Sequence, residues 1–216
     1  MFHGQRDTLK AIRSRSSNKK LVLMNEQVSE LTIPWTGTYW SRQFGIINFP
    51  FLKARCEGIF SFVYHEYTTA IAGALVQGVK TVDNQLFVRT KALADATARG
   101  LILMPFITEV TDRSMSSVKA GYLSYTAAMQ RYSNHFFKGT ALVPPQVDSP
   151  SVTVHVGPNN FIEVGKVSTS RFIYNGEDRL FLVNAWDGHV EVTITWPHSS
   201  KTVSLLSHEV MSILLH

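Results

Sequence analysis

Three short apolar runs mark the first half of the chain. They occupy residues 21–24, 59–64 and 101–104, and polar or turn-forming residues bound each of them. A short apolar run with polar ends is typical of a strand that is buried on both faces, as in a parallel sheet. The pattern therefore predicts three parallel strands.

Helices are predicted around these strands. Residues 7–16 and 86–99 have helical patterning, and Gly100 follows the second segment where a capping glycine belongs. The small residues of 68–78 also favour a helix. The aromatic segment 34–40 is rich in Gly and Pro, so we expect a loop there.

The most regular helical pattern begins at Ser114 or Ser116 and ends before Gly139. Its apolar residues are spaced four, three, four, three and four apart, which is the periodicity of one helix face. This stripe predicts core packing rather than a cofactor site. Its members are Val118, Tyr122, Tyr125, Met129, Tyr132 and Phe136.

The pattern changes after Pro144-Pro145 to short alternating segments separated by turns. Asn175-Gly176 and Asp187-Gly188 are strong hairpin signals between such segments. Seven short strands in this length are typical of a small antiparallel sandwich. The predicted strands are residues 152–156, 161–167, 171–174, 180–185, 189–196, 202–206 and 210–215.

The predicted fold class is α/β followed by all-β. Residues 1–143 are expected to form the last three units of a (β/α)8 barrel of the TIM type, because strands and helices alternate there. Residues 144–216 are expected to form a small antiparallel β-sandwich. The composition of the 216 residues, with 44% hydrophobic and 17% charged residues, is that of an ordinary globular protein.

The net charge of +5 raises the alternative of a nucleic-acid-binding protein. Most of the basic excess lies within residues 1–20 without interleaved aromatic residues, so we favour a solvated face and expect no nucleic-acid partner.

No apolar run reaches the roughly 20 residues of a membrane span, and no signal peptide is readable. Localisation is therefore left open. Cys56 is the sole cysteine, and no histidine spacing indicates a metal, so neither metal nor cofactor is expected.

Candidate chemistry lies at the ends of the predicted parallel strands. The first strand is followed by Asn25-Glu26, and the second is followed by His65-Glu66. Functional groups collect at the carboxyl ends of parallel strands, and glycoside hydrolysis requires two carboxyl groups across the scissile bond. Glu26 and Glu66 are therefore the candidate catalytic pair. Helix capping or pairing with Arg42 is an equally weighted alternative for each.

Aromatic residues beside these carboxylates favour a sugar ligand. Trp35 and Trp40 follow the first strand, and the apolar faces of sugar rings stack on such side chains. Packing of these rings against the rest of the fold is an equally good interpretation. The other candidate substrate-binding residues are Asn25, Glu30, Tyr64 and His65.

Several segments also resemble a known family. They are LVLMNEQVSE at 21–30, VYHEY at 63–67, HFFKGTALVPP at 135–145, RLFLVNAWDGHVEVTITWP at 179–197 and KTVSLLSHEVMSILL at 201–215. They resemble an uncharacterised bacterial glycoside-hydrolase-like family, whose members are similar to (β/α)-barrel glycosidases with a C-terminal β-sandwich. The resemblance implies an oligo- or polysaccharide partner.

The resemblance further implies that the three strands are the sixth, seventh and eighth of a barrel. Glu66 then ends the seventh strand, which bears the nucleophile in the largest clan of barrel glycosidases. The fourth strand, which bears the acid/base there, has no counterpart, and Glu26 replaces it only if this family uses the sixth strand. Two alternatives stay open: a chain that is truncated and inactive alone, and a non-catalytic carbohydrate-binding or structural module. An open barrel edge at 21–24 would favour self-association.

Overall fold

A parallel sheet of four short strands forms the first part of the protein. The computed structural model describes residues 7–8, 10–12, 14, 24–25, 38–41, 69–72, 82–103, 113–157 and 160–215. The strands are β1 (Met24–Asn25), β2 (Thr38–Ser41), β3 (Thr69–Ala72) and β4 (Ile102–Leu103). They are paired in the order β1-β2-β3-β4, and every pairing is parallel. The prediction of a parallel sheet is confirmed.

Two of these strands correct the sequence interpretation. β2 lies where a loop was predicted at 34–40, and β3 lies where a helix was predicted at 68–78. Threonine, isoleucine and aromatic side chains favour extended backbone, and they make up three of the four residues of β2 and two of the four of β3. The predicted strand at 59–64 lies outside the described residues. β1 and β4 are therefore separated by β2 and β3.

Helix α1 spans Val82–Ala98 and confirms the helix predicted at 86–99, with an earlier start. Gly100 follows it with a φ of 68°, the left-handed conformation that favours glycine at a helix end. Near the N-terminus, the described residues between 7 and 14 are helical, as predicted.

The long predicted helix is two helices. A 3-10 turn precedes α2 (Ser116–Arg131), and α3 (Ser133–Lys138) follows after Tyr132. Tyr132 has a φ of −112° and a ψ of 30°, which interrupts the regular helix. The helical hydrogen bonds from Tyr132 N–H to the Ala128 carbonyl and from Phe136 N–H to the Tyr132 carbonyl nevertheless remain. The apolar stripe therefore continues across the interruption.

Antiparallel strands form the rest of the protein. Their pairing gives sheets of order β13-β10-β9-β5 and β12-β11-β6, together with the hairpin β7-β8. All seven predicted strands are present, and β5 and β6 are additional. The strands are β5 (Thr140–Leu142), β6 (Gln146–Asp148), β7 (Ser151–Gly157), β8 (Asn160–Gly165), β9 (Val167–Tyr174), β10 (Glu177–Asn184), β11 (Val190–Trp196), β12 (Ser199–Leu205) and β13 (Val210–Leu215).

Strand pairing in this part begins before Pro144-Pro145. β5 precedes these prolines, yet Thr140, Ala141 and Leu142 pair with β9. β6, which follows the prolines, joins the other sheet through β11. The prolines therefore lie where the chain passes from one antiparallel sheet to the other. The division into domains 1–143 and 144–216, the partial barrel and the sandwich stay predictions.

Strand β10 is buried on both faces. Leu180 and Leu182 contribute to a core shared with residues of β11 and β12. Phe181 and Val183, which alternate with them, belong to a second core that includes α1, α2 and α3. Full burial of each such side chain contributes about 1.5–3 kcal/mol. β10 thus links the two antiparallel sheets and the helices.

The aromatic stripe packs on this sheet, as predicted. Phe136 of α3 lies with its ring centroid 4.4 Å from that of Phe181 in β10. Tyr125 and Met129 are buried, whereas Tyr122 is half-buried. The helices therefore cover one face of the β13-β10-β9-β5 sheet.

Candidate functional site

Two predicted site residues lie at one end of the parallel sheet. Asn25 is the last residue of β1, and its register partner in β2 is Tyr39. Trp40 is the next residue of β2 and pairs with Ile71 of β3. Because the strands are parallel, Asn25 and Trp40 both lie toward their carboxyl ends. The backbone therefore brings these two residues close to one edge of the sheet.

The other predicted site residues lie outside the described residues, so their placement stays a prediction. In the sequence, Glu26 directly follows Asn25, the last residue of β1. The separation of the two candidate catalytic carboxylates is likewise a prediction. The residues concerned are Glu26, Glu30, Trp35, Tyr64, His65 and Glu66.

A surface cavity of about 530 Å³ lies among the antiparallel strands. Trp196 at the end of β11 lines it, together with Arg171 of β9 and Asp178 of β10. We call it the tryptophan cavity. Its remaining lining residues are Val143, Pro144, Pro145, Gln146, Thr195, Pro197 and Leu215.

The polar side of the tryptophan cavity is a two-fold hydrogen-bonded ion pair. Arg171 donates from Nε to Oδ1 of Asp178 at 2.9 Å and from Nη2 to Oδ2 at 2.5 Å. The hydrogen bond from Arg171 lowers the pKa of Asp178 and outweighs the opposing effect of burial. The pair fixes a carboxylate and a guanidinium beside an indole ring. An aromatic face beside fixed polar groups is what a sugar ring with peripheral hydroxyls requires.

Sequence reasoning did not identify this cavity, although one signal pointed to its ion pair. Asn175-Gly176 correctly predicted a hairpin, which joins β9 and β10. The turn fixes the register, in which Asp178 is opposite Ile173, two positions from Arg171. Side chains on such a diagonal are within reach of each other when one is long. The hairpin thus implied the ion pair.

A Ser–His–Asp grouping elsewhere lacks the geometry of a nucleophilic triad. The Oγ of Ser117 lies 3.2 Å from Nε2 of His208, and Oδ1 of Asp187 lies 3.6 Å from the same nitrogen. In a triad, the nucleophile and the acid bind opposite ring nitrogens. Nδ1 of His208 is instead buried without a hydrogen-bond partner among the described residues. The grouping is structural.

The described residues show neither a metal-binding cluster nor a membrane-spanning helix. Within them, no cluster of three or more His, Cys, Asp or Glu side chains is arranged to hold a metal ion. None of the helices among them has both the length and the apolar character needed to span a bilayer.

Comparisons with known proteins give similarity at the level of structure. No protein-family model matches the chain, and no curated protein matches it. An alpha-amylase from Geobacillus thermoleovorans, GTA, whose structure is complexed with acarbose, is similar over 100% of this chain and 55% of its own, with 12% identity and a TM-score of 0.48. The noncanonic maltogenic alpha-amylase AmyB from Thermotoga neapolitana is similar over 100% and 58%, with 11% identity and a TM-score of 0.47. The chain thus spans little more than half the length of either amylase.

Proposed function

We propose that the protein is a carbohydrate-active protein of the glycoside hydrolase type. The observation that carries the proposal is the parallel pairing of β1 with β2, in which Asn25 is opposite Tyr39. This pairing supports a site at the carboxyl edge of the sheet, where the chain continues from Asn25 to Glu26. Trp40 belongs to the strand beside it. A carboxylate and an aromatic strand at one edge are the elements that a sugar-cleaving site combines.

In the proposed reaction, two carboxyl groups flank the glycosidic bond. One of Glu26 and Glu66 protonates the leaving oxygen, and the other attacks the anomeric carbon or activates a water molecule. The aromatic rings of the site bind the apolar faces of the sugar, while polar side chains bind its hydroxyls. The proposed substrate-binding residues are Asn25, Glu30, Trp35, Trp40, Tyr64 and His65.

Hydrolysis assays test this proposal. The purified chain would be assayed against chromogenic α- and β-glycosides and against oligosaccharides. Glu66→Gln and Glu26→Gln should each lower kcat by roughly 10²–10⁴-fold, the usual contribution of a catalytic acid or base. Glu191→Gln is the matched control, because Glu191 is an exposed residue of β11. Full activity of both Glu26→Gln and Glu66→Gln would exclude this carboxylate pair.

The tryptophan cavity favours a second candidate function, a non-catalytic carbohydrate-binding module. Here Trp196 stacks on a sugar ring, while Arg171 and Asp178 bind its hydroxyls. A glycan array followed by titration calorimetry measures such binding without any hydrolysis. Trp196→Ala should weaken binding by about fivefold or more, whereas Trp196→Phe should retain most of it, because aromatic stacking contributes about 1 kcal/mol or more.

The two functions are distinguished by their variants. Leu206→Ala is a control for loss of an exposed apolar side chain, since Leu206 is 68% exposed and does not line the tryptophan cavity. Binding without hydrolysis in the wild-type chain, abolished by Trp196→Ala alone, supports the binding module. Hydrolysis that responds to Glu66→Gln and ignores Trp196→Ala supports the hydrolase.

A further inference from the structure

A second surface cavity, about 530 Å³ in volume, has a cationic lining. Arg131 at the end of α2 and Arg179 of β10 contribute two guanidinium groups to it. Glu177 is the acidic residue in its lining. His135 and Asn134 of α3 add polar groups. We call it the arginine cavity.

Both guanidinium groups lie beside the ring of Tyr132. The Cζ atoms of Arg131 and Arg179 lie 5.4 Å and 5.6 Å from the ring centre of Tyr132. Arg179 is fixed further by hydrogen bonds from Nε to Glu177 Oε2 at 3.0 Å and from Nη1 to Ser212 Oγ at 3.2 Å. One acidic residue faces two arginines, so the lining retains a net positive charge.

A buried polar atom in the same cavity lacks a partner. His135 is only 7% exposed, and its Nε2 has no hydrogen bond among the described residues. The nearest acidic oxygen, Oε2 of Glu177, is 3.7 Å away, beyond hydrogen-bond distance. Leaving a buried polar group unpaired costs about 1–3 kcal/mol. A ligand that bonds to Nε2 would remove this cost.

These features favour an anion over a neutral sugar. The ring of Tyr132 is already contacted by both guanidinium groups and by Phe181, whose ring centroid lies 5.3 Å from its own. Little of the Tyr132 ring is therefore left for stacking a sugar. The ring of Tyr174, which also lines the cavity, makes an edge contact with His135 at a centroid distance of 5.9 Å. The guanidinium group, in contrast, offers a planar set of donors that matches carboxylate and phosphate oxygens.

We propose that the arginine cavity binds a small oxyanion-bearing ligand, a carboxylate or a phosphate ester, through Arg131, Arg179 and His135. Arg131 and the free donors of Arg179 bind the anionic oxygens. The neutral imidazole of His135 with its hydrogen on Nε2 donates one further bond. The site shares no residue with the proposed sugar-cleaving site and needs no catalysis.

Titration calorimetry on the full chain with glucuronate, glucose 6-phosphate and glucose tests the proposal. At least one anionic sugar should bind, glucose should bind at least about tenfold more weakly, and the tighter anion identifies the group recognised. Arg131→Gln should weaken that binding at least about tenfold, because a hydrogen bond to a charged group contributes about 1.5–3 kcal/mol. Arg131 is exposed, so this variant should fold.

The matched control is Arg113→Gln, which removes one positive charge from an exposed site outside the arginine cavity. The dissociation constant of the anionic sugar for this variant should stay within about twofold of the wild-type value, because salt screens an exposed charge at a distance. The proposal is overturned if neither anion binds at millimolar concentration, if glucose binds as tightly as they do, or if Arg113→Gln weakens binding as much as Arg131→Gln.

Discussion

The hydroxyl of Tyr125 donates a hydrogen bond of 2.6 Å to the backbone carbonyl of Asn184. Tyr125 belongs to α2, and Asn184 is the last residue of β10. The side chain of Asn184 is also fully bonded: Nδ2 donates to the carbonyls of Gly188 and Leu206, and Oδ1 accepts from the N–H of Trp186. One buried asparagine thus connects a helix to two turns of the antiparallel part.

Removal of this hydroxyl should destabilise the fold. Burial raises the pKa of Tyr125 well above its usual range, so the hydroxyl remains a donor at any physiological pH. Tyr125→Phe should lower the free energy of unfolding by about 1–3 kcal/mol, because the carbonyl of Asn184 then lacks this donor. Urea unfolding measures the change. Tyr122→Phe is the control, since Tyr122 is only half-buried, and equal losses in both variants would contradict the prediction.

Helices α1 and α2 are in close contact at Gly121. A Cβ atom at this position would lie 2.9 Å from Cγ2 of Thr90, whose side chain is fully buried. Gly121→Ala should therefore destabilise the protein by about 1–3 kcal/mol through overpacking. The higher helix propensity of alanine offsets about 1 kcal/mol of this loss.

A second substitution tests the cause of that loss. Thr90→Ser removes Cγ2 but keeps the hydroxyl that donates to the Leu86 carbonyl at 2.9 Å. The double variant with Gly121→Ala should be more stable than the sum of the single effects predicts, by at least about 0.5 kcal/mol in thermal or urea unfolding. Strict additivity would show that the methyl contact is not responsible.

The sequence pattern predicted the apolar stripe that α2 and α3 contribute to the core. The stripe of α2 and α3 was visible because helical hydrogen bonds persist through Tyr132. For the same reason, the pattern could not show that the helix is interrupted there. β2 and β3 were missed because the Gly and Pro residues of 34–40 indicated a loop and the small residues of 68–78 indicated a helix.

The cavities were less accessible to prediction than the strands. The tryptophan cavity combines Val143 with Trp196 and Arg171. These residues meet because β5 pairs with β9 while β6 pairs with β11. Such pairings between distant segments depend on the global packing and leave no local spacing in the sequence. The hairpin at Asn175-Gly176, a local feature, was in contrast predicted correctly.

A buried ion pair connects α1 to β9. Nζ of Lys91 lies 2.6 Å from Oδ1 of Asp95 and donates to Oγ of Ser168 at 2.7 Å, and this hydroxyl donates to the same carboxylate at 2.6 Å. Burial acts to raise the pKa of Asp95, but the positive charges of Lys91 and Arg99 and the two hydrogen bonds outweigh it, so the pKa is lowered. The carboxylate is therefore charged in the folded protein.

Removal of one partner of the Lys91–Asp95 ion pair should lower the free energy of unfolding more than removal of both partners. Asp95→Asn should lower the free energy of unfolding by about 3–5 kcal/mol, because the charge of Lys91 stays buried without its counter-ion. The double variant Lys91→Met with Asp95→Leu should lose less than Asp95→Asn alone, since neither charge remains to be desolvated. Chemical denaturation of both proteins and the wild type gives the comparison. A double variant that is less stable than Asp95→Asn would argue against the desolvation account.

His208 should make the fold sensitive to mild acid. Burial lowers the pKa of His208 below its ordinary value of 6.5, with Asp187 acting in the opposite direction. In the unfolded chain, a histidine titrates near its ordinary pKa of about 6.5. As the pH falls below this value, the unfolded state binds a proton that the folded state does not yet bind, so stability decreases until the lowered pKa is reached. Well above the ordinary pKa of about 6.5, His208 is neutral in the folded and in the unfolded state and contributes no pH dependence.

His208→Asn should remove this part of the acid sensitivity. The backbone of His208 has a φ of 54°, a left-handed conformation in which asparagine is also common. The variant loses the contact with Ser117, so its stability at pH 7.5 should be lower by about 1 kcal/mol. Its free energy of unfolding should nevertheless decline less steeply than that of the wild type between pH 7 and pH 5, as followed by urea unfolding at several pH values. The exposed His189 provides the control, since His189→Asn makes the same change of side chain outside the buried site. Parallel pH profiles for the wild type and His208→Asn would mean that the proton is taken up equally by the folded and unfolded states, and the buried imidazole would then not be the source of the acid sensitivity.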